Sequence, residues 1–272
     1  MQLCATLFCG IISVFQFKML KMKKIFLFFV GMVCTLNMFG QAENWFFSLS
    51  MGTSLPMGSF KEIKTLDEKA GFAEKGFSLV LDASYPLGDN WSLKGAAMLY
   101  SNPINRSGMG TMLEQRMNAR NIIVTGDDRD YLTLQLNSWL SNNIVFGPVY
   151  TINLNKFYWD FQVLAGMNVT QLPKQKLAYE NPELNWIYLQ RNTSSTSLSV
   201  GYGAGTVLRF AIASNVNFKL GIDYFRSQAT QKYEELKITK NGTSSTTEKL
   251  STGEVKTPIE SLSATVGLVY YL

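Results

Sequence analysis

The stretch "FYWDFQVLAGMNVTQL", Phe157 to Leu172, alternates with almost no interruption. Phe157, Trp159, Phe161, Val163, Ala165, Met167 and Val169 share one parity. Tyr158, Asp160, Gln162, Leu164, Gly166, Asn168 and Thr170 share the other. Successive side chains of a strand point to opposite faces. The segment therefore reads as a strand with one oily face and one mixed, mostly small or polar face.

Seven further segments repeat this pattern. They are Trp45–Leu55, Phe77–Tyr85, Trp91–Tyr100, Tyr131–Ile152, Ser197–Ile212, Val216–Phe225 and Ser261–Leu272. The fourth reads as one long strand, because Leu132, Leu134, Leu136, Leu140, Ile144, Phe146, Tyr150 and Ile152 keep one parity throughout. After residue 41 no clear amphipathic helix interrupts the series.

The connections alternate in length. Residues 86–90, 153–156 and 213–215 are short; 56–76, 101–130, 173–196 and 226–258 are long and polar. Tight turns at one end and long loops at the other are the habit of barrels in outer membranes. The fold expected is all-β: an eight-stranded antiparallel up-and-down transmembrane β-barrel with short periplasmic turns and long extracellular loops. The final strand, "SLSATVGLVYYL", must then close on the first, since an unpaired strand in lipid cannot satisfy its backbone.

Aromatic residues bunch at the inferred periplasmic ends. Trp45, Phe47, Tyr85, Trp91, Tyr150, Phe157, Trp159, Phe210, Phe218 and Tyr270 all lie on the apolar parity. They are the expected aromatic girdle.

Composition bounds the domain count and excludes several kinds of chemistry. Of the 272 residues, 46% are hydrophobic and only 17% charged. The net charge of +5 is concentrated at the start, where Lys18, Lys21, Lys23 and Lys24 have no acidic neighbour before residue 41. The remaining 21 basic residues face 20 acidic ones, so nothing suggests nucleic acid as a partner. Cys4, Cys9 and Cys34 are the cysteines, and the chain has no histidine. Beyond residue 41 there is thus no disulfide, no Cys or His metal site, and no chemistry needing imidazole or thiolate. No metal and no cofactor is expected.

"MKKIFLFFVGMVCTLNMFGQAEN" begins at Met22. Lys23 and Lys24 form a positive n-region, Ile25 to Cys34 an apolar core, and Gly40 to Ala42 a small-residue cleavage region. Residues 22–41 are expected to be a signal peptide for the Sec pathway, and 42–272 the barrel domain. Residues 1–21 read as a start placed too early, or as an extra leader. A membrane-anchoring helix or helical hairpin is the alternative, but the apolar core is short for a bilayer crossing. Gly31 and Val33 make a poor lipobox for an anchor on Cys34.

Several stretches carry a family resemblance: "MKKIFLFFVG…FGQ", "SLPMGSF", "FGPVY", "LAGMNVTQLP" and the C-terminal strand. Together they resemble the outer-membrane β-barrel family common in Bacteroidetes, often labelled porin-like and similar to OmpA- and OmpX-type barrels. The resemblance covers residues 41–272. It implies the outer membrane of a Gram-negative bacterium, lipid as surroundings, and the barrel-assembly machinery as the insertion partner. The alternation of Val266, Leu268, Tyr270 and Leu272 resembles the C-terminal insertion signal, with Leu272 where an aromatic is usual. The family has no agreed activity and supplies no catalytic residues.

Six charges occupy the polar parity: Asp82, Lys94, Asp160, Arg209, Lys219 and Asp223. Pairing Tyr85 with Trp91 sets Asp82 opposite Lys94; pairing Ile212 with Val216 sets Arg209 opposite Lys219. Asp160 is then the expected counter-ion of both cations. The main reading is a structural ion-pair layer in a narrow lumen. A proton or ion path and an Asp82/Asp160 acid–base pair are the alternatives. Such a pair works only when its two environments differ, and here cations flank both.

Outer-membrane barrel enzymes rely on His with Ser or Asp, so no enzyme is expected. A Ser–Lys dyad stays conceivable, though no segment marks one. Asn241–Gly242 is a hairpin-turn pair. Tyr233–Lys240 and Thr243–Lys249 could extend the last two strands outward as an edge for a partner, or form a solvated loop. Residues 101–130 include Ile122, Ile123 and Val124 before "GDDRD", whose acids around Asp128 lack the spacing of an EF-hand loop. Loops 101–130 and 226–258 are the expected contact surfaces for an extracellular ligand. The function expected is structural or surface-interacting, through those loops. A narrow porin-like channel for small solutes is the alternative.

Overall fold

The computed structural model describes residues 45–63, 69–119, 132–155, 157–180, 185–241 and 244–272. The leader, Ile122 to Val124, the "GDDRD" acids and the hairpin tip at 242–243 lie outside the described residues.

Eight strands close into a ring. In order round it they are β1 (Phe46–Pro56), β2 (Gly76–Pro86), β3 (Trp91–Asn102), β5 (Trp139–Leu154), β6 (Phe157–Gln171), β9 (Thr196–Ala213), β10 (Val216–Asn241) and β11 (Ser244–Tyr271). Closure is complete. The last strand pairs antiparallel with the first from Phe46↔Tyr271 to Pro56↔Ser261, and also with β10.

Burial follows the alternation. In β6, Asp160, Gln162, Leu164, Asn168 and Thr170 are buried while Phe157, Trp159, Phe161, Val163, Met167 and Val169 are exposed. The fold is thus inside-out relative to a soluble barrel. Leu198 and Val200, 71% and 76% exposed, belong to a wall that only lipid can cover.

The short turns stand at one end. There Asn155 takes φ 64°, a left-handed conformation that asparagine tolerates better than most residues. The ten aromatics expected as a girdle gather at this end, and several pair across strands. Trp45 meets Tyr85 at 4.9 Å, Trp91 meets Tyr150 at 5.1 Å and Phe157 meets Phe210 at 5.0 Å between ring centres.

The opposite, extracellular end differs from the expected loops. The fourth segment is two strands, not one. β4 (Leu132–Leu136) stops before Asn137, and β5 starts at Trp139. Parity alone does not show the break, because Leu136 and Leu140 stay in phase across it. Instead of joining the ring, β4 pairs with β7 (Gln175–Glu180), which pairs with β8 (Trp186–Asn192), which pairs with β10. Residues 226–241 and 244–258 are strand rather than polar loop, resolving the alternatives in favour of the extended hairpin.

β10 leaves β9 at Arg226 and continues to Asn241, about 50 Å further for 15 residues. A shift at Glu235/Leu236 marks a bulge in its pairing with β11. The result is a five-stranded antiparallel sheet, β11–β10–β8–β7–β4, standing above the barrel.

Residues 57–63, 69–75 and 103–119 turn back to cover the mouth. α1 (Gly58–Lys61) is a single turn, and α2 (Arg106–Ala119) is capped by Asn105, whose Oδ1 accepts the Gly108 N–H at 2.6 Å. Phe60, Phe72, Ile104, Met109 and Met112 pack with Trp139 into one buried cluster. The Trp139 indole donates to the Gly71 carbonyl at 2.9 Å, pinning the cover to the wall.

This topology makes a prediction. Protease added to intact cells should cut within 101–130 or 226–258 and spare 86–90, 153–156 and 213–215. Cuts at the short turns in intact cells would mean the barrel is inserted the other way up.

Candidate functional site: the filled lumen

The lumen is narrow, as eight strands require, and the polar parity fills it in layers. At the periplasmic end sits Arg209. Its Nη2 donates to Asp160 Oδ1 at 2.7 Å and its Nη1 to the Tyr271 hydroxyl at 2.5 Å. The guanidinium also lies 4.7 Å from the Phe46 ring centre and 5.1 Å from that of Tyr158. Thr151 donates to Asp160 at 2.8 Å, and Asn217 donates to the Tyr271 hydroxyl at 2.9 Å. Residues of β1, β5, β6, β9, β10 and β11 thus converge on one cation.

One step further in, Asp82 holds two lysines. Lys94 Nζ stands 3.3 Å from Oδ1, and Lys219 Nζ is bonded to Oδ2. Ser48 donates to Asp82 at 2.6 Å and accepts from Lys219 at 2.7 Å. Gln162 bridges onward, accepting from Lys94 at 2.7 Å and donating to Asp223. All six charges named from the sequence are buried.

Their pairing departs from the hairpin arithmetic in two ways. Lys94 stands in register with Ser84, while Asp82 stands opposite Ala96, because Tyr85 pairs with Leu93 and not with Trp91 across the turn. Lys219 does lie opposite Arg209. Asp160, however, serves Arg209 alone, and Lys219 reaches across the lumen to Asp82 instead. Spacing along one hairpin gives neighbours on the wall. It does not give partners across a closed ring.

Above the charges lies an apolar layer of Val80, Met98, Tyr100, Val145, Leu164 and Phe225. Phe225 fits because Gly201 and Gly203 face it. A Cβ on Gly201 would collide with the Phe225 ring. An uncharged polar layer follows, centred on Asn168. Its amide donates to Ser141 at 2.6 Å and Asn143 at 2.5 Å, and its carbonyl accepts from Thr170 at 2.7 Å. The mouth cover closes the stack.

Sequence reasoning missed Gln162, which joins Lys94 to Asp223, and Phe46 and Tyr271, which hold Arg209 from other strands. Gln162 was findable, since it sits two residues from Asp160 on the same parity. Tyr271 was hidden by its neighbour Tyr270, which belongs to the outer face. Tyr271→Phe is expected to lower stability by roughly 1–2 kcal/mol, less than a fully buried charged hydrogen bond because the side chain is only partly buried. An unchanged urea midpoint in lipid would show that water replaces the hydroxyl.

Ser48 and Lys219 form the Ser–Lys contact that no segment had marked. They are only 3% and 4% exposed, and both are already bonded to Asp82. The geometry leaves neither the hydroxyl nor the amine open to a substrate.

A closed ring of eight antiparallel strands, apolar outside and filled with polar and apolar layers inside, defines the class. The protein is a β-barrel of the outer-membrane type. No protein-family model and no curated protein matches the chain. Solved structures that match are outer-membrane barrels. Neisserial surface protein A is 12% identical, with 83% of this chain and 96% of that one covered at a TM-score of 0.41. A major outer membrane protein of Thermus thermophilus is 11% identical over 84% and 99%, at 0.47. Ail, the attachment invasion locus protein of Yersinia pestis, is 14% identical over 85% and 100%, at 0.39. These are likenesses of fold, and the assignment to the class rests on the strand ring and its two-faced wall.

Proposed function

We propose that this is a sealed outer-membrane barrel that acts through its external sheet, in surface interaction, adhesion or envelope structure, and not as an enzyme. The observation that carries the reading is the division of labour along the strands. The lumen is packed shut by buried side chains, whereas β10 and β11 spend more than half their length outside the membrane. Among the described residues, β11 beyond Pro258 pairs on one side only, so it offers an open strand edge lined by Ser, Thr, Lys and Glu. An open edge can take up an extended segment of a partner. The aromatic girdle anchors the turn end at the periplasmic headgroups. Val266, Leu268, Tyr270 and Leu272 serve recognition by the assembly machinery after export through the Sec pathway.

The deciding experiment is planar-bilayer conductance of the refolded mature protein. No stable channels are expected. Large, long-lived channels would put the narrow porin-like reading in its place. Replacing residues 236–249 by a two-residue turn should leave the barrel folded and abolish surface attachment of expressing cells. Attachment unaffected by this change would move the function away from the sheet. N-terminal sequencing of membrane-purified protein should find a start between Phe39 and Glu43, with translation from Met22 or Met19. A retained Met1 or Cys34 would overturn the leader reading.

A further inference from the structure

Asn142 stands on the lipid-facing parity of β5. It pairs with Leu99 of β3 on one side and Val169 of β6 on the other, both apolar. One step outward, Leu140 pairs with Ser101 and Gln171, where the polar rim begins. The amide therefore lies about 7 Å along the strand beneath that rim. Tyr150 of the aromatic belt is eight residues away on the same face. At a strand tilt of about 40° this is about 20 Å along the membrane normal, within an apolar band about 25 Å tall. Asn142 thus faces the outer leaflet just below its polar boundary. Among the described residues no group bonds its half-buried side-chain amide. A polar side chain at such a depth is costly without a partner.

A groove of about 310 Å³ opens beside it, lined by Leu79, Leu81, Ala97, Leu99, Asn142 and Ile144. Ala97 is its floor, in register with Leu81 on one side and Ile144 on the other. Toward Gly95, next on the same face, the Phe146 ring lies over the backbone and closes the slot. It is continuous with the lipid-covered wall, so its occupant comes from the bilayer and not from solvent.

We infer that Asn142 and the Ala97 groove seat one acyl chain of an outer-leaflet lipid, a chain that carries a hydroxyl or amide near its head-group end. The methylenes lie along Ala97 between Leu81 and Ile144. The hydroxyl or amide both donates and accepts, so it can satisfy the two ends of the Asn142 carboxamide, which plain hydrocarbon cannot.

The test uses the refolded mature protein in mixed micelles with two probes. One is a phosphatidylethanolamine bearing 3-hydroxytetradecanoyl chains; the other is the same lipid with tetradecanoyl chains. Native mass spectrometry counts the lipid retained. The wild type should retain the hydroxylated lipid roughly fivefold better. Asn142→Leu should bring the ratio to one, with folding checked by heat-modifiable gel mobility. Ala97→Leu, which keeps the amide but fills the groove, should lower retention of both lipids. Equal retention by the wild type, or a preference that survives Asn142→Leu, would overturn the proposal.

Discussion

Asp82→Ala is expected to be the most damaging single charge removal in the lumen, lowering stability by about 3–5 kcal/mol. Its carboxylate is the shared partner of Lys94 and Lys219, whose side chains are 4% and 5% exposed. Without it, two buried ammonium groups face each other with only Gln162, Ser48 and the more distant Asp223 to compensate. Asp160→Ala should cost less. Arg209 would keep the Tyr271 hydroxyl and the faces of Phe46 and Tyr158. Asp223→Ala should cost least, because Gln162 stands between it and Lys94. Charge reversal at exposed Lys256 should stay within about 0.5 kcal/mol. Replacing Asp82, Lys94 and Lys219 together by Leu and Met should recover much of the loss, since it removes the desolvated charges rather than stranding them. Urea midpoints in lipid vesicles rank these variants. A larger effect at Asp160 than at Asp82 would restore the hairpin-derived pairing. Midpoints equal to wild type would mean a wet lumen, in which charges are not stranded.

Phe225→Ala should lower stability by about 3–5 kcal/mol, the usual loss for emptying a buried aromatic site. The ring is 2% exposed and spans the layer between Tyr100, at 6.3 Å, and the glycine face of β9. Gly201→Val, which drives a side chain into that ring, should cost about 1–3 kcal/mol by overpacking. The two changes share one space. The double variant Gly201→Val/Phe225→Ala should therefore be more stable than the sum of the single losses implies. Strict additivity in urea midpoints would show that Phe225 does not occupy the volume above Gly201.

How much was legible depends on which interactions are local. The alternation in Phe157–Leu172 names the lipid face of β6 residue by residue, because side-chain direction in a strand has period two whatever the partner. The same holds for the parity of Asp82, Lys94, Asp160, Arg209, Lys219 and Asp223. Register needed turn geometry as well, and there the outcome split. The turn at Ser214–Asn215 pairs Val216 with Ala213 and not with Ile212, and a bulge at Val216/Asn217 then sets Lys219 opposite Arg209, whereas the turn after Pro86 shifted β2 against β3 and moved Lys94 from Asp82 to Ser84.

The break between β4 and β5 left no mark, since Leu136 and Leu140 keep phase across Asn137 and Ser138. Only the three-dimensional pairing of Leu132–Leu136 with β7 separates them. From the sequence alone came the number of ring strands, which side chains meet lipid and which meet the lumen, and the end at which the turns lie. Each follows from period-two alternation and from the rule that a membrane strand must be paired. Tertiary structure alone decided that Asp82 bridges two lysines and that Tyr271 helps hold Arg209. It also decided that Gly201 makes room for Phe225, and that three loop segments assemble with β10 and β11 into a sheet outside the membrane. Those contacts join strands distant in sequence across a closed ring, where the strand tilt and stagger, not the spacing of residues along one hairpin, set which side chains share a height.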